Sequence, residues 1–406
     1  MNSTIIESLN TLYTKQKLNK PIILWGIGHQ TEELIEGISA LGSSINILMI
    51  LDNFKDIFLK EYKGIPVKCP YVLHNLQKDS FVVLLCVNYA ESIRKQLNAY
   101  GITEVYNLRN IDETFTFEKC DLPYHFINRS KSKKNLCYVL AGYEPVLWNN
   151  TLGRIEAFQS NDVDYCLVSS GKYDETLNQI AQRNNWSYLY TDQNQVCYIQ
   201  NLVIDLHPSA EYIIKMDEDM FIGKNFFPTM LAEFHKIEKE GDYRIGFAVP
   251  VIPLNCSGYV SYLKLTGTKE AYEQRFGRAY RSRFSAVFNV PETAEFLWDT
   301  MDSFDDMANR FANNKGYEIC DCYFNIGCIM FTRERWLMMG KWPEDPNSSG
   351  MGIDEAYIYS DNIEKDLSIY ELKKVLVGHL AFGHQKQQML KYFEDHIQKF
   401  KYFPCH

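Results

Sequence analysis

The chain has 406 residues, 46% hydrophobic and 23% charged, which describes a folded globular protein too long for one ordinary core. Its net charge of −9 excludes a general nucleic-acid binder, because phosphate contacts need a basic face. The 27 Tyr and 24 Phe suit large cores, and equally suit stacking surfaces for sugar rings or nucleobases. From the N-terminus, a polar, periodic opening "MNSTIIESLNTLYTKQ" carries no signal-peptide pattern, and no stretch reaches the roughly 18 apolar residues of a spanning helix. A cytoplasmic chain is expected, at most touching the inner face of a membrane. Ile22 to Trp25 reads as a buried strand, Gly26 and Gly28 as a turn, and Thr31 to Leu41 as a helix. "INILMILDN" and "SFVVLLCV" give two further strands, with a helix between Ala90 and Tyr100. This alternation predicts a parallel sheet covered by helices. The glycine turn either holds a phosphate or merely needs glycine, since Thr31 stands where a dinucleotide fingerprint has its third glycine.

Quoted in order, "LWGIGHQTEELIEGI", "ILDN", "YKGIPVKCP" and "VVLLCVNYAESIRKQLNAYGI" make residues 21 to 110 resemble the sugar-nucleotide-binding N-terminal domain of bacterial sugar O- and N-acetyltransferases. The resemblance implies a Rossmann-like domain over residues 1–125. The left-handed helical repeat that carries acetyl transfer in that family has no counterpart here. The domain is therefore expected to bind or assemble, and it is a natural place for self-association. "FINRSKSKKN" is polar and basic, and residues 126–135 are expected to form a linker.

Strand–helix alternation restarts in residues 136–406. "NLCYVLAGY" and "VDYCLVSSG" read as strands, with helices in "WNNTLGRIEAFQS", "YDETLNQIAQRNN" and "VCYIQNLVIDLHPSA". Then "EYIIKMDEDMFIG" ends a buried-looking strand with Asp217, Glu218 and Asp219 before returning to Met220 and Phe221. Adjacent carboxylates repel, so the cluster either holds a hard divalent cation or forms a solvated acidic turn. A strand that delivers acids to its C-terminal end places them where open α/β sheets bind ligands.

That order of elements, closed by "YIIKMDEDMFIG", resembles a GT-A glycosyltransferase with Asp217–Glu218–Asp219 as its DxD motif. The resemblance covers residues 135 to about 385. It implies a nucleotide-diphosphate sugar donor, with UDP the expected nucleotide, and Mn2+ or Mg2+ held by Asp217 and Asp219. "CDCYFNIGCIMFTRERW" resembles the strand behind the acceptor site. "SSGMGIDEAYIYS" is similar to the glycine-spaced acidic pair of inverting members, with Gly350, Gly352, Asp354 and Glu355. One carboxylate there takes the acceptor hydroxyl's proton, and Asp354 is the first choice over Glu355; the bland alternative is an acidic helix cap. A late His completes many such metal sites. "VGHLAFGHQ" offers His379 and His384, of which His384 has the more loop-like context.

By resemblance, Ala141, Gly142, Tyr143, Ser169 and Ser170 approach the nucleotide. "RFGRAYRSRF" packs four Arg into ten residues, with Arg281 the expected phosphate clamp and a salt-bridged helix face the alternative. The 11 Cys mostly sit in strand-like runs and are expected to be reduced and structural, Cys320, Cys322 and Cys328 included. The expected activity is an inverting, metal-dependent transfer to a saccharide or lipid-linked saccharide acceptor in bacterial surface polysaccharide synthesis. A retaining transferase and a non-catalytic sugar-nucleotide-binding scaffold are the alternatives.

Overall fold

The computed structural model describes residues 3–28, 30–41, 45–87, 90–112, 120–322, 324, 326–345 and 352–402. The chain divides into two compact units, one of residues 1–119 with 334–341 and one of residues 120–333 with 342–406. Among the described residues no helix is long and apolar enough to cross a membrane, and no disulfide is formed.

Unit 1 runs α1 (Ser3–Thr14), β1 (Ile22–Trp25), α2 (Thr31–Leu41), β2 (Ile47–Leu51), β3 (Glu61–Tyr62), β4 (Ile65–Lys68), β5 (Val82–Leu85), α3 (Glu91–Ala99) and β6 (Val105–Asn107). The sheet order is β3-β4-β2-β1-β5-β6, parallel throughout except for the β3–β4 pair. The reason lies in the sequence: Ile22–Trp25 and Val82–Leu85 are apolar on both faces, which only a strand covered on both sides tolerates. The glycine turn is satisfied from within. Gly26 sits at φ +84°, Gly28 N donates to Thr31 Oγ1 at 2.8 Å, and Ile27 N donates to Asp52 Oδ2 at 3.2 Å. The same Asp52 accepts from Phe54 N and Lys55 N, both at 3.0 Å. Thr31 and Asp52 thus accept from the Gly28 and Ile27 amides of this turn.

Unit 2 begins with β7 (Tyr124–Ile127), β8 (Asn135–Leu140), α4 (Thr151–Phe158), β9 (Val163–Ser169), α5 (Glu175–Asn184), β10 (Ser187–Thr191), α6 (Val196–Asp205), β11 (Tyr212–Asp217) and β12 (Met220–Ile222). It continues with α7 (Phe226–Glu240), β13 (Ile245–Val251), α8 (Gly258–Thr266), α9 (Lys269–Phe276), α10 (Ala286–Asn289), α11 (Pro291–Asp299), α12 (Phe304–Phe311), β14 (Tyr317–Ile319) and β15 (Cys328–Thr332). After α13 (Arg333–Met338), most of which counts with unit 1, come α14 (Ile353–Glu364), β16 (Ser368–His379), α15 (Lys386–Asp395) and α16 (Ile397–Phe400). The sheet order is β12-β16-β13-β15-β11-β8-β9-β10-β7, with β14 beside β16. Strands β10, β9, β8 and β11 are parallel, so Ser169, Leu140 and Asp217 end at one edge. The remainder departs from the expected parallel pattern, because β15 enters antiparallel to β11. The result is a mixed α/β architecture.

Residues 126–135, expected as a linker, lie inside unit 2. Phe126 and Ile127 pair with Leu189 and Tyr188, and Asp164 accepts from Ser130 Oγ at 2.6 Å and from the Lys131 and Lys133 amides. The polar, basic composition reflects a loop tied to a buried carboxylate.

Candidate functional site

At the C-terminal edge of the parallel strands lies a cleft of about 550 Å³. Its walls include Leu140, Ala141, Tyr143, Val168, Ser170, Asn194, Val196 and Ile326, and its charged groups are Glu144, Lys215, Asp217, Glu218, Asp219, Asp354 and Glu355. Asp217 ends β11 and lies in register with Leu140 of β8. Asp219 directly precedes β12, whose first residue Met220 pairs with His379 of β16.

The three adjacent acids have three different fates. Asp217 Oδ1 takes the Lys215 ammonium at 2.6 Å, and Lys215 also donates to Ile326 O at 2.8 Å. Burial, with the Asp219 and Asp354 charges, pushes the Asp217 carboxyl up to about 6 against the pull of Lys215. Glu218 is buried and accepts from Gly142 N at 2.9 Å, Tyr143 N at 2.8 Å and Trp148 Nε1 at 2.5 Å. Burial raises its pKa despite these donors, and its work is to fix the loop after β8. Asp219 Oδ2 lies 3.2 Å from His379 Nε2, while its Oδ1 is buried without a hydrogen-bond partner. Burial alone would raise Asp219, but His379 outweighs it and holds the carboxyl below its ordinary value. His379 is raised in turn, because Asp219 overcomes the opposing effect of burial. Its Nδ1 faces Leu254 O at 3.2 Å.

On another wall, α14 presents its first turn. Gly352 begins it at φ +76°, a conformation that other residues adopt only under strain. Asp354 is buried, with Oδ2 accepting from Gln200 Nε2 at 3.2 Å and Oδ1 from Glu355 N at 2.9 Å. Gln200 is fixed by Tyr138 Oη at 2.9 Å. Glu355 is half-buried, and burial together with the Asp354 charge pushes its carboxyl up to about 8.

Of the residues expected at the nucleotide, Ala141, Tyr143, Ser170 and Asp217 line the cleft. Gly142 is not among the lining residues, and its amide donates to Glu218. Ser169 is wholly buried, donating to Ala141 O at 2.9 Å and accepting from Tyr188 Oη at 3.2 Å. Arg281, expected as a phosphate clamp, is spent on Glu318 at 3.0 Å and Ser261 Oγ at 2.9 Å, away from the cleft. His384, expected beside the DxD acids, sits in a 3₁₀ turn (Gly383–Gln385) with its ring 6.1 Å from that of Phe288, while His379 meets Asp219. Gly350 lies outside the described residues.

Among the described residues no group of three or more His, Cys, Asp and Glu is arranged to hold a metal, Cys320, Cys322 and Cys328 included. The orphaned Asp219 Oδ1 nonetheless suits a cation. Magnesium-type sites commonly take one or two carboxylates and complete their shell with water and substrate phosphate. Lys215, Asn194 and Ile326 were not foreseen as lining residues. A lysine inside the apolar run "YIIKMD" was the available signal, since lysines are almost never buried unpaired.

Residues 18–106, all in unit 1, match a family model described as C2185-like, N-terminal. No curated protein matches the chain. Among solved structures, the chain is similar to the inositol-1-phosphate CTP transferase from T. maritima at a TM-score of 0.32 and 10% identity, over 65% of this chain and 98% of that one. It is similar to a CMP:2-keto-3-deoxy-manno-octonic acid synthetase complexed with CTP at 0.34 and 14%, over 66% and 100%. Likeness at this level assigns no activity to this chain.

Proposed function

We propose that unit 2 is a glycosyltransferase of GT-A type that moves a sugar from a nucleotide-diphosphate donor to a hydroxyl of a saccharide or lipid-linked saccharide acceptor. One observation carries the reading: Asp217, Asp219, Asp354 and Glu355, from separate parts of the sequence, line one cleft of ligand size. Apolar Leu140, Val168 and Val196 give a nucleoside a dry wall, with Ser170 and Asn194 beside it for polar contacts. Asp219 and Asp217 are the residues that would hold Mn2+ or Mg2+, and His379 replaces His384 as the histidine beside them. A bound divalent cation would supply charge neutralisation at the departing diphosphate. Lys215, already committed to Asp217, keeps that carboxylate oriented.

The geometry supports Glu355 as the base, the reverse of the first choice made from sequence. Both oxygens of Asp354 are engaged by Gln200 and the Glu355 amide, which suits a positioning role. Glu355 reaches the cleft, and a carboxyl raised to about 8 matches a base working near neutral pH. Inversion at the anomeric carbon follows from direct attack by the acceptor hydroxyl as Glu355 takes its proton.

The test is a panel of nucleotide sugars incubated with the purified protein, with manganese and with EDTA. One donor should release its nucleoside diphosphate, chelation should stop it, and Asp219→Asn should cut turnover by about 100-fold or more. Binding of a donor equally well with and without metal, with none consumed, would remove the transferase reading. Release of pyrophosphate from a nucleoside triphosphate would replace it.

A further inference from the structure

The Arg-rich loop that does not serve the cleft has a design of its own. Its backbone is pinned from below. Tyr259 Oη donates to Tyr280 O at 2.6 Å and accepts from Tyr280 N at 2.9 Å, and Ala279 N donates to Glu273 Oε1 at 2.9 Å. Arg281 is drawn inward to Glu318 and Ser261. On this base Arg275, Arg278 and Arg283 are exposed, and beside them stand Tyr280 at 50% and Phe284 at 75% exposure. Of the acids on and near this loop, Glu318 is taken by Arg281, and Glu273 by the Ala279 amide and Lys269. A chain of net charge −9 thus presents a local cationic and aromatic surface.

We propose that the loop from Arg275 to Phe284 docks unit 2 on an anionic lipid bilayer. Guanidinium groups pair with lipid phosphates while Tyr and Phe rings settle at headgroup depth, and each kind of side chain needs the other for stable interfacial binding. Phe284, 75% exposed and without a polar atom on its side chain, suits the apolar boundary below lipid headgroups. Docking of this kind follows from the loop's own side chains and needs no transferase activity.

Co-sedimentation of the full-length protein with vesicles tests it. Binding should be strong on phosphatidylcholine mixed with phosphatidylglycerol, negligible on phosphatidylcholine alone, and weakened by high salt. Each Arg→Ala substitution should weaken binding about fivefold, so Arg275→Ala with Arg278→Ala loses roughly 30-fold. Phe284→Ala with Tyr280→Ala should weaken it at unchanged charge. The control, Lys236→Ala with Lys239→Ala on α7, removes equal charge elsewhere and should bind as the parent does. Absence of a preference for the anionic vesicles overturns the proposal, as does an equal loss in the control.

Discussion

Glu218 carries the middle charge of the acidic stretch, yet it is the one of the three whose oxygens are already satisfied. Its carboxylate collects two backbone N–H groups and the Trp148 indole, and that is how the loop from Gly142 to Trp148 is held against the strand end. Glu218→Gln keeps the shape but removes the charge that strengthens those bonds, and should lower the unfolding free energy by about 1–3 kcal/mol. Urea denaturation checks this, and an unchanged midpoint would mean the loop is held otherwise. Glu355 gives the residue-scale pH dependence. Its folded pKa of about 8 stands above the ordinary 4.5, so its contribution to stability is complete below about pH 4.5 and is lost as pH rises toward 8. Glu355→Gln is neutral throughout. Its advantage over the parent in unfolding free energy should therefore grow from pH 5 to pH 8, by about 1–3 kcal/mol after allowance for partial exposure. Parallel stability–pH curves for the two proteins would show that Glu355 ionises normally.

At the scale of elements, one arginine fastens three pieces together. Arg154 of α4 is fully buried, donating to Ile222 O of β12 at 3.1 Å and to Phe400 O of α16 at 2.8 Å. It also pairs with Asp305 of α12 and lies 5.0 Å over the Phe304 ring. Its planar fork serves several acceptors at once, which an ammonium cannot. Arg154→Lys should therefore fail to rescue Arg154→Met, and each should cost about 3–5 kcal/mol because Asp305 and the two carbonyls lose their donor. Thermal unfolding of both variants decides it, and a lysine variant as stable as the parent would rule out the fork.

Across the whole molecule, legibility followed the range of the signal. The parallel strands β1, β5, β8, β9 and β11 and the helices between them were readable, because a buried strand announces itself in a local apolar run. Strands β7 and β10 were not, and neither was the antiparallel entry of β15, since a strand's partner and direction are set by residues far along the chain. The same divide runs through the site. Asp217, Asp219, Asp354 and Glu355 stood out as candidates because charges at the edge of apolar segments are locally anomalous, and the four share one cleft. That His379 and not His384 faces Asp219 could not be read, because no local pattern reports it. Arg281 misled for a related reason: its partner Glu318 is distant in sequence.

The ladder between β12 and β16 is only three pairs long, Met220↔His379, Phe221↔Gly378 and Ile222↔Val377. Gly378 is forced within it, since a Cβ there would come within 2.8 Å of the Trp298 ring. Side chains alternate along a strand, so a slip of one residue would turn His379 to the opposite face and drive a bulkier neighbour toward that indole. The ladder is therefore the site's ruler. Through it the tryptophan of α11 acts as a proofreader of alignment for a carboxylate that it never touches.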